Sequence, residues 1–181
     1  MSKRLLFVFL SALAAGQTPQ EYLQRGEEHA GAHRWSEAFA DYNRALQLNP
    51  EYAEAYNDRG HAYYWTGDYK NAIADFTRAI ELRPNYPNAF NNRGAAYMAG
   101  GDSKCRTKDF DQAIKLKPDF RNAYVNRANA RWGCDLRGAL DDFHRAGMYP
   151  ERTAAKAGVG LLALISIGTF GLKSLRRRLA E

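Results

Sequence analysis

A glycine recurs at a fixed interval in this chain. Gly26, Gly60 and Gly94 are 34 residues apart, and Pro50, Pro84 and Pro118 keep the same interval. A constant period of this size marks a chain built by stacking one small unit, because each unit can bury its apolar face only against its neighbours. The stretch from Ala53 to Pro84 shows the unit most clearly. Tyr56, Gly60 and Tyr63 fall on one face of a first helix, and Ala72, Phe76 and Ala79 on one face of a second. Small residues let the two helices approach, and the aromatics fill the space beside them. Gly67, in the Thr66-Gly67-Asp68 turn, supplies a conformation that a Cβ would resist. Pro84 ends the second helix and opens the next unit.

These residues resemble the tetratricopeptide repeat (TPR) family over residues 19–150. Tyr22, Gly26, His29, Ala38, Tyr42, Ala45 and Pro50 mark a first repeat, and the set above a second. Phe90, Gly94, Tyr97, Phe110, Ala113 and Pro118 mark a third. Tyr124, Ala128, Ala139, Phe143, Ala146 and Pro150 mark a fourth. The resemblance implies an all-α TPR solenoid of about four helix-turn-helix repeats (about 19–52, 53–86, 87–120 and 121–150), wound as a right-handed superhelix. Two departures carry expectations. Arg106 stands where Ala38 and Ala72 stand in earlier repeats, so it either reaches solvent or loosens its helix pair. The fourth repeat is one residue short around Trp132-Gly133-Cys134-Asp135, so a tighter turn is expected there.

Charge narrows the partner class. The formal charge is +6. Residues 17–86 carry 7 basic and 11 acidic side chains, and residues 87–153 carry 12 and 8, so the repeats are neutral overall. The surplus lies in residues 1–16, at +2, and 154–181, at +4. Nucleic-acid binding needs a basic face on the folded body, so it is not expected. Basic ends instead suit flanks of membrane-directed segments.

Both ends read that way. Lys3 and Arg4 precede an apolar run, Leu5 to Ala15, too short for the roughly 20 residues a spanning helix takes. Residues 1–16 therefore read as an export signal, with Ala12-Leu13-Ala14 as its small-residue exit. The alternative is a short apolar segment that stays attached. After a linker at 151–156, residues 157–172 are uncharged and apolar all round, flanked by Lys156 and Lys173 and followed by Arg176, Arg177 and Arg178. This reads as a transmembrane helix with a basic cytoplasmic tail at 173–181, because a helix capping the array needs a polar face. Its glycines show no GxxxG spacing, so self-association is not implied. Basic ends on one side place the repeats outside the cytoplasm, most simply in a bacterial periplasm, on a single-pass inner-membrane protein. A cytosol-facing tail anchor is the alternative, and a cleaved sorting tag the third.

The family resemblance implies a groove lined by first helices, holding an extended peptide or a partner helix. The matching positions are Asn57, His61 and Tyr64; Asn88, Asn91 and Met98; and Asn122, Val125, Asn129 and Trp132. Asparagine can pair with a peptide backbone, and the larger side chains offer apolar pockets. Relatives that clamp a terminal carboxylate use Lys and Asn where this chain has Leu23 and Glu27, so that clamp is not expected. Elsewhere, His29 and His33 have a chelating spacing but no third ligand, so no metal is expected. Asp109-Asp111 and Asp141-Asp142 sit at or near helix starts, where negative charge is favourable. Cys105, at the start of a second helix, and Cys134, in a turn, lie at one edge of adjacent repeats. They are either a disulfide, worth roughly 3 kcal/mol, or two free thiols. No nucleophile elbow, phosphate loop or Cys-x-x-Cys is present, and neither an enzyme nor a cofactor is expected. The reading is a membrane-tethered interaction scaffold, an accessory or assembly subunit of a larger membrane complex such as a respiratory or photosynthetic one. The alternative is a transient peptide-binding adaptor in secretion or envelope quality control.

Overall fold

The computed structural model describes residues 18–101 and 107–148. They form eight helices and no strand: α1 (Pro19–Gly31), α2 (Trp35–Leu48), α3 (Ala53–Trp65), α4 (Tyr69–Leu82), α5 (Pro87–Ala99), α6 (Lys108–Leu116), α7 (Arg121–Arg131) and α8 (Leu136–Arg145). The N-terminal segment, the linker, the apolar run at 157–172 and the basic tail lie outside the described residues, as do Cys105 and Arg106. Among the described residues no helix is long and apolar enough to cross a membrane.

Each helix pair closes on an aromatic ring. A Cβ added at Gly26 would lie 2.5 Å from the Tyr42 ring, at Gly60 2.9 Å from Phe76, and at Gly94 2.7 Å from Phe110. No real side chain tolerates such contacts, so glycine sets the helix separation. In the fourth pair Ala128 takes that place and is fully buried. Ala38, Ala72, Ala139, Ala45, Ala79 and Ala113 are all 0% exposed and complete the seam.

A second 34-residue series reinforces the first. Arg59 grips Asp75 with two bonds, Nε to Oδ2 at 2.7 Å and Nη2 to Oδ1 at 2.8 Å. Arg93 grips Asp109 the same way at 2.9 and 2.8 Å, and Arg127 grips Asp142 at 2.8 and 2.6 Å. Arg25 also holds Asp41 by two bonds. Each guanidinium lies 5.0–5.6 Å over the ring three residues before it: Tyr22, Tyr56, Phe90 or Tyr124. The third nitrogen reaches the preceding repeat, from Arg59 to Asn43, from Arg93 to Thr77 and from Arg127 to Asp111. One side chain therefore joins two helices and two repeats. Bidentate geometry over a ring is what arginine supplies and lysine does not.

The joints repeat as closely as the pairs. Asn49, Arg83 and Lys117 end α2, α4 and α6 with the same backbone, φ −137° and ψ 90–92°. The turns inside the first three repeats place a left-handed residue at one position: His33 (φ 58°), Gly67 (84°) and Gly101 (93°). His33 therefore lies in the turn after α1 and not on the helix with His29, which removes the chelating spacing. The fourth repeat corrects the expected tighter turn. Its turn spans Trp132 to Asp135, four residues against three at Thr66 to Asp68, because α7 stops at 11 residues where α3 runs for 13. The missing residue is absorbed by the helix end, and Asp135 caps α8 by accepting from the Gly138 N–H at 2.9 Å. In the third repeat the described helix starts at Lys108, beyond Cys105.

First helices of successive repeats touch, α1 to α3, α3 to α5 and α5 to α7, whereas among the described residues second helices do not meet one another. The first helices therefore make a continuous inner wall.

Two substitutions test these contacts. Asp75→Ala leaves Arg59 half-buried without its carboxylate and should cost about 3 kcal/mol in denaturant unfolding. His33→Gly relieves a left-handed side chain and should raise stability by about 1 kcal/mol, read as an upward shift in Tm.

Candidate partner-binding groove

The wall carries a chain of side-chain amides. Asn126 donates to Asn91 Oδ1 at 2.9 Å, Asn91 to Asn92 Oδ1 at 3.3 Å, Asn92 to Asn57 Oδ1 at 3.1 Å, and Asn57 to Asp58 Oδ1 at 2.9 Å. The series crosses α7, α5 and α3, and every donor points toward Asp58. Asn57 and Asn91 are only 7% and 6% exposed. These two were expected to read a peptide backbone. They are instead largely committed to one another's neighbours, because a buried amide must find a partner inside the protein.

Above this floor lies a pocket of about 180 Å³ lined by His61, Tyr64, Phe76, Asn91, Asn92, Ala95 and Asn126. Three expected groove residues, His61, Tyr64 and Asn91, meet there. Asn88, Asn122 and Asn129 are exposed, and Met98 and Val125 half-buried, but none of the five lines the pocket. Trp132 is 46% exposed and meets the Phe143 ring edge-on at 6.0 Å. Asn92, Ala95 and Asn126 are new to the site. Their signal was available, since Asp58, Asn92 and Asn126 are again 34 apart.

Beside the pocket, Trp65 is 62% exposed and donates its indole N–H to His61 Nε2 at 3.0 Å. Tyr64 packs edge-on to both Trp65 and Tyr69. Burial pushes the His61 pKa down, which keeps the ring uncharged at neutral pH.

The amide chain ends at an acidic pair. Burial pushes the Asp58 carboxyl up to about 7, against an opposing bond from Asn57, while Glu27 of α1 and then Glu54 push it further up. A hydrogen bond between the Asp58 and Glu27 carboxyl groups adds to that upward shift. Burial also raises the nearby phenols Tyr42, Tyr52 and Tyr86, the last to about 12, so they stay neutral. Leu23, at the other clamp position, is buried in the core.

The remaining candidates are structural or unpaired with function. Asp142 is held by Arg127 and Arg131, Asp109 by Arg93, and Asp111 by Arg127. His29 Nδ1 lies 3.1 Å from Asp41 Oδ2, a carboxylate Arg25 already holds. Among the described residues no three His, Cys, Asp or Glu side chains are placed to hold a metal. Cys134 is disulfide-bonded.

Comparison with known proteins agrees with this geometry. A family model described as "TPR repeat" matches residues 33–67 and 60–101. The match spans α2 to α5, where the chain is similar to tetratricopeptide repeats. The crystal structure of MamA has a TM-score of 0.67 and 26% identity, covering 80% of this chain and 83% of that one. The second TPR domain of human RPAP3, in complex with the HSP70 peptide SGPTIEEVD, has a TM-score of 0.58 and 25% identity, covering 62% and 98%. The Arabidopsis OM64 TPR domain has a TM-score of 0.62 and 24% identity, covering 64% and 96%, and shows the fold alone. No curated protein matches the chain.

Asp58 makes a pH prediction for this array. Its folded pKa lies above its unfolded value, so the stability it contributes is complete below about pH 4 and is lost as pH rises through about 7. The wild-type chain should lose on the order of 2–4 kcal/mol over that range relative to Asp58→Asn, measured by urea unfolding of both proteins across the window.

Proposed function

We propose that this chain is a non-enzymatic docking scaffold whose inner wall holds a protein partner, tethered to a membrane by residues 157–172. The observation that carries the docking reading is the pocket. Three successive first helices open it together, its amide floor is already hydrogen-bonded, and the exposed Trp65 ring stands beside it. A rigid floor with accessible rings receives a side chain at little ordering cost. Its volume suits one partner side chain rather than a whole small-molecule ligand, whose sites run to roughly 300–1,000 Å³. The second TPR domain of human RPAP3 supports the same use of the fold, since it is described in complex with a peptide.

The membrane reading rests on the sequence at 157–172 with its basic flanks, and the export reading on residues 1–16. Together they make the chain a single-pass inner-membrane protein with its repeats in the periplasm, acting as an accessory or assembly subunit of a membrane complex. The disulfide-bonded state of Cys134 suits an oxidising compartment.

Photo-crosslinking tests the docking reading. A benzophenone side chain placed at Tyr64, on the wall, should capture a partner in intact cells, and one at Arg78, on the exposed side of α4, should not. Equal capture at both positions, or none at Tyr64, contradicts it. Protease access to the repeats tests the topology: they should be cut once the outer envelope is opened and protected from the cytoplasmic side.

A further inference from the structure

The inner wall is negative where a carboxylate-clamping groove would be positive. We propose that the groove receives a basic segment of its protein partner, with a lysine or arginine between Glu27 and Asp58 and an adjoining apolar side chain in the pocket beside His61 and Tyr64. This rests on the docking function proposed above and names the chemistry of the partner.

Four observations on different side chains lead there. Glu27 and Asp58 come from adjacent first helices, and neither has a cationic partner among the described residues. Glu54, one turn earlier on α3, is paired with Arg83. Secondly, the amide series runs Asn126, Asn91, Asn92, Asn57, Asp58 with each donor aimed at the next acceptor. Its aligned dipoles end at the acidic pair, where Asn57 gives Asp58 an uncharged donor and no neutralising cation. Thirdly, Asp58, His61 and Trp65 share one stripe of α3, at spacings of three and four residues. Trp65 is 62% exposed, and its N–H is spent on His61, so its ring face is what it offers a partner. Aromatic faces attract ammonium and guanidinium groups. Fourthly, the pocket beside them is lined by neutral residues, with His61 kept uncharged by burial. The surface thus matches a cation followed by an apolar residue, and opposes a carboxylate.

Charge also predicts a proton linkage. The titratable groups around Asp58 are Glu27, Glu54 with Arg83 on it, and the phenols Tyr42, Tyr52 and Tyr86. A bound cation favours the charged form of Asp58, so binding displaces protons from it and tightens as pH rises from 6 to 8.

The test uses the full chain in mild detergent and two labelled peptides. One alternates lysine with leucine and phenylalanine; the other carries glutamate in place of every lysine. Fluorescence anisotropy at physiological salt should show the lysine peptide binding at least about tenfold more tightly than the glutamate peptide. The pair Glu27→Gln and Asp58→Asn should weaken lysine-peptide binding at least about tenfold and remove most of its pH dependence. The pair Glu37→Gln and Glu81→Gln, again two carboxyl-to-amide changes but on second helices, should change it less than about twofold. Thermal unfolding should show the Glu27 and Asp58 variants at least as stable as the parent, since they remove repulsion. Equal loss with both variant pairs, no loss, no binding, or tighter binding of the glutamate peptide overturns the inference. Tighter binding of the glutamate peptide, with competition at the Tyr64 crosslink, overturns it while leaving the docking function standing; failure of the Tyr64 crosslink takes both.

Discussion

An aromatic ring seated against a bare glycine Cα sets the geometry of this molecule. The contact of Tyr42 with Gly26, Phe76 with Gly60 and Phe110 with Gly94 holds each helix pair at a separation no other residue would allow. Once that distance is set, the first helix has one face occupied by its own partner helix. A second face is occupied by the neighbouring repeat. What remains faces the inner wall, and its residues are free of any packing duty beyond the amide floor. The proposed docking surface is a consequence of how the pairs close.

The electrostatics follow the same logic. Arg25, Arg59, Arg93 and Arg127 sit one residue before the small residue of the seam, so their side chains reach an aspartate on the partner helix. Buried aspartates at 41, 75 and 142 would be costly alone. Clasped in two-bonded pairs over an aromatic ring, they fix the register between helices. That registry role is the best-attested use of a buried ion pair. Among the described residues no equivalent clasp holds Glu27 and Asp58. Burial and Glu27 raise the Asp58 carboxyl there, and an arginine at that site would have neutralised it. The acidic pair is therefore the place where the repeat pattern stops satisfying itself.

The fold was legible because its determinants are local and periodic. Glycine, alanine and proline at a constant interval report backbone geometry directly, and the helices fall where that interval put them. The groove was legible only in part. Position within the repeat identified His61, Tyr64 and Asn91, but it could not tell which asparagines face solvent and which bond each other across repeats. That depends on the offset between neighbouring first helices, which brings Asn92 to Asn57 and Asn126 to Asn91, 35 residues away rather than 34. The arginine clasps went unread although Arg25, Arg59, Arg93 and Arg127 keep the period, because charged residues at helical spacing resemble a solvated face. His33 misled for a different reason. A spacing of four suggests one helix, and only the left-handed turn shows that the helix has already ended.

On this geometry the first helices are the proposed working face, and the second helices hold it in place. Hydrogen–deuterium exchange on the full chain, free and with its captured partner, tests this most directly. The account predicts new protection in peptides from residues 19–31, 53–65 and 87–99, with those from 35–48 and 69–82 unchanged. Protection confined to the second helices would contradict it.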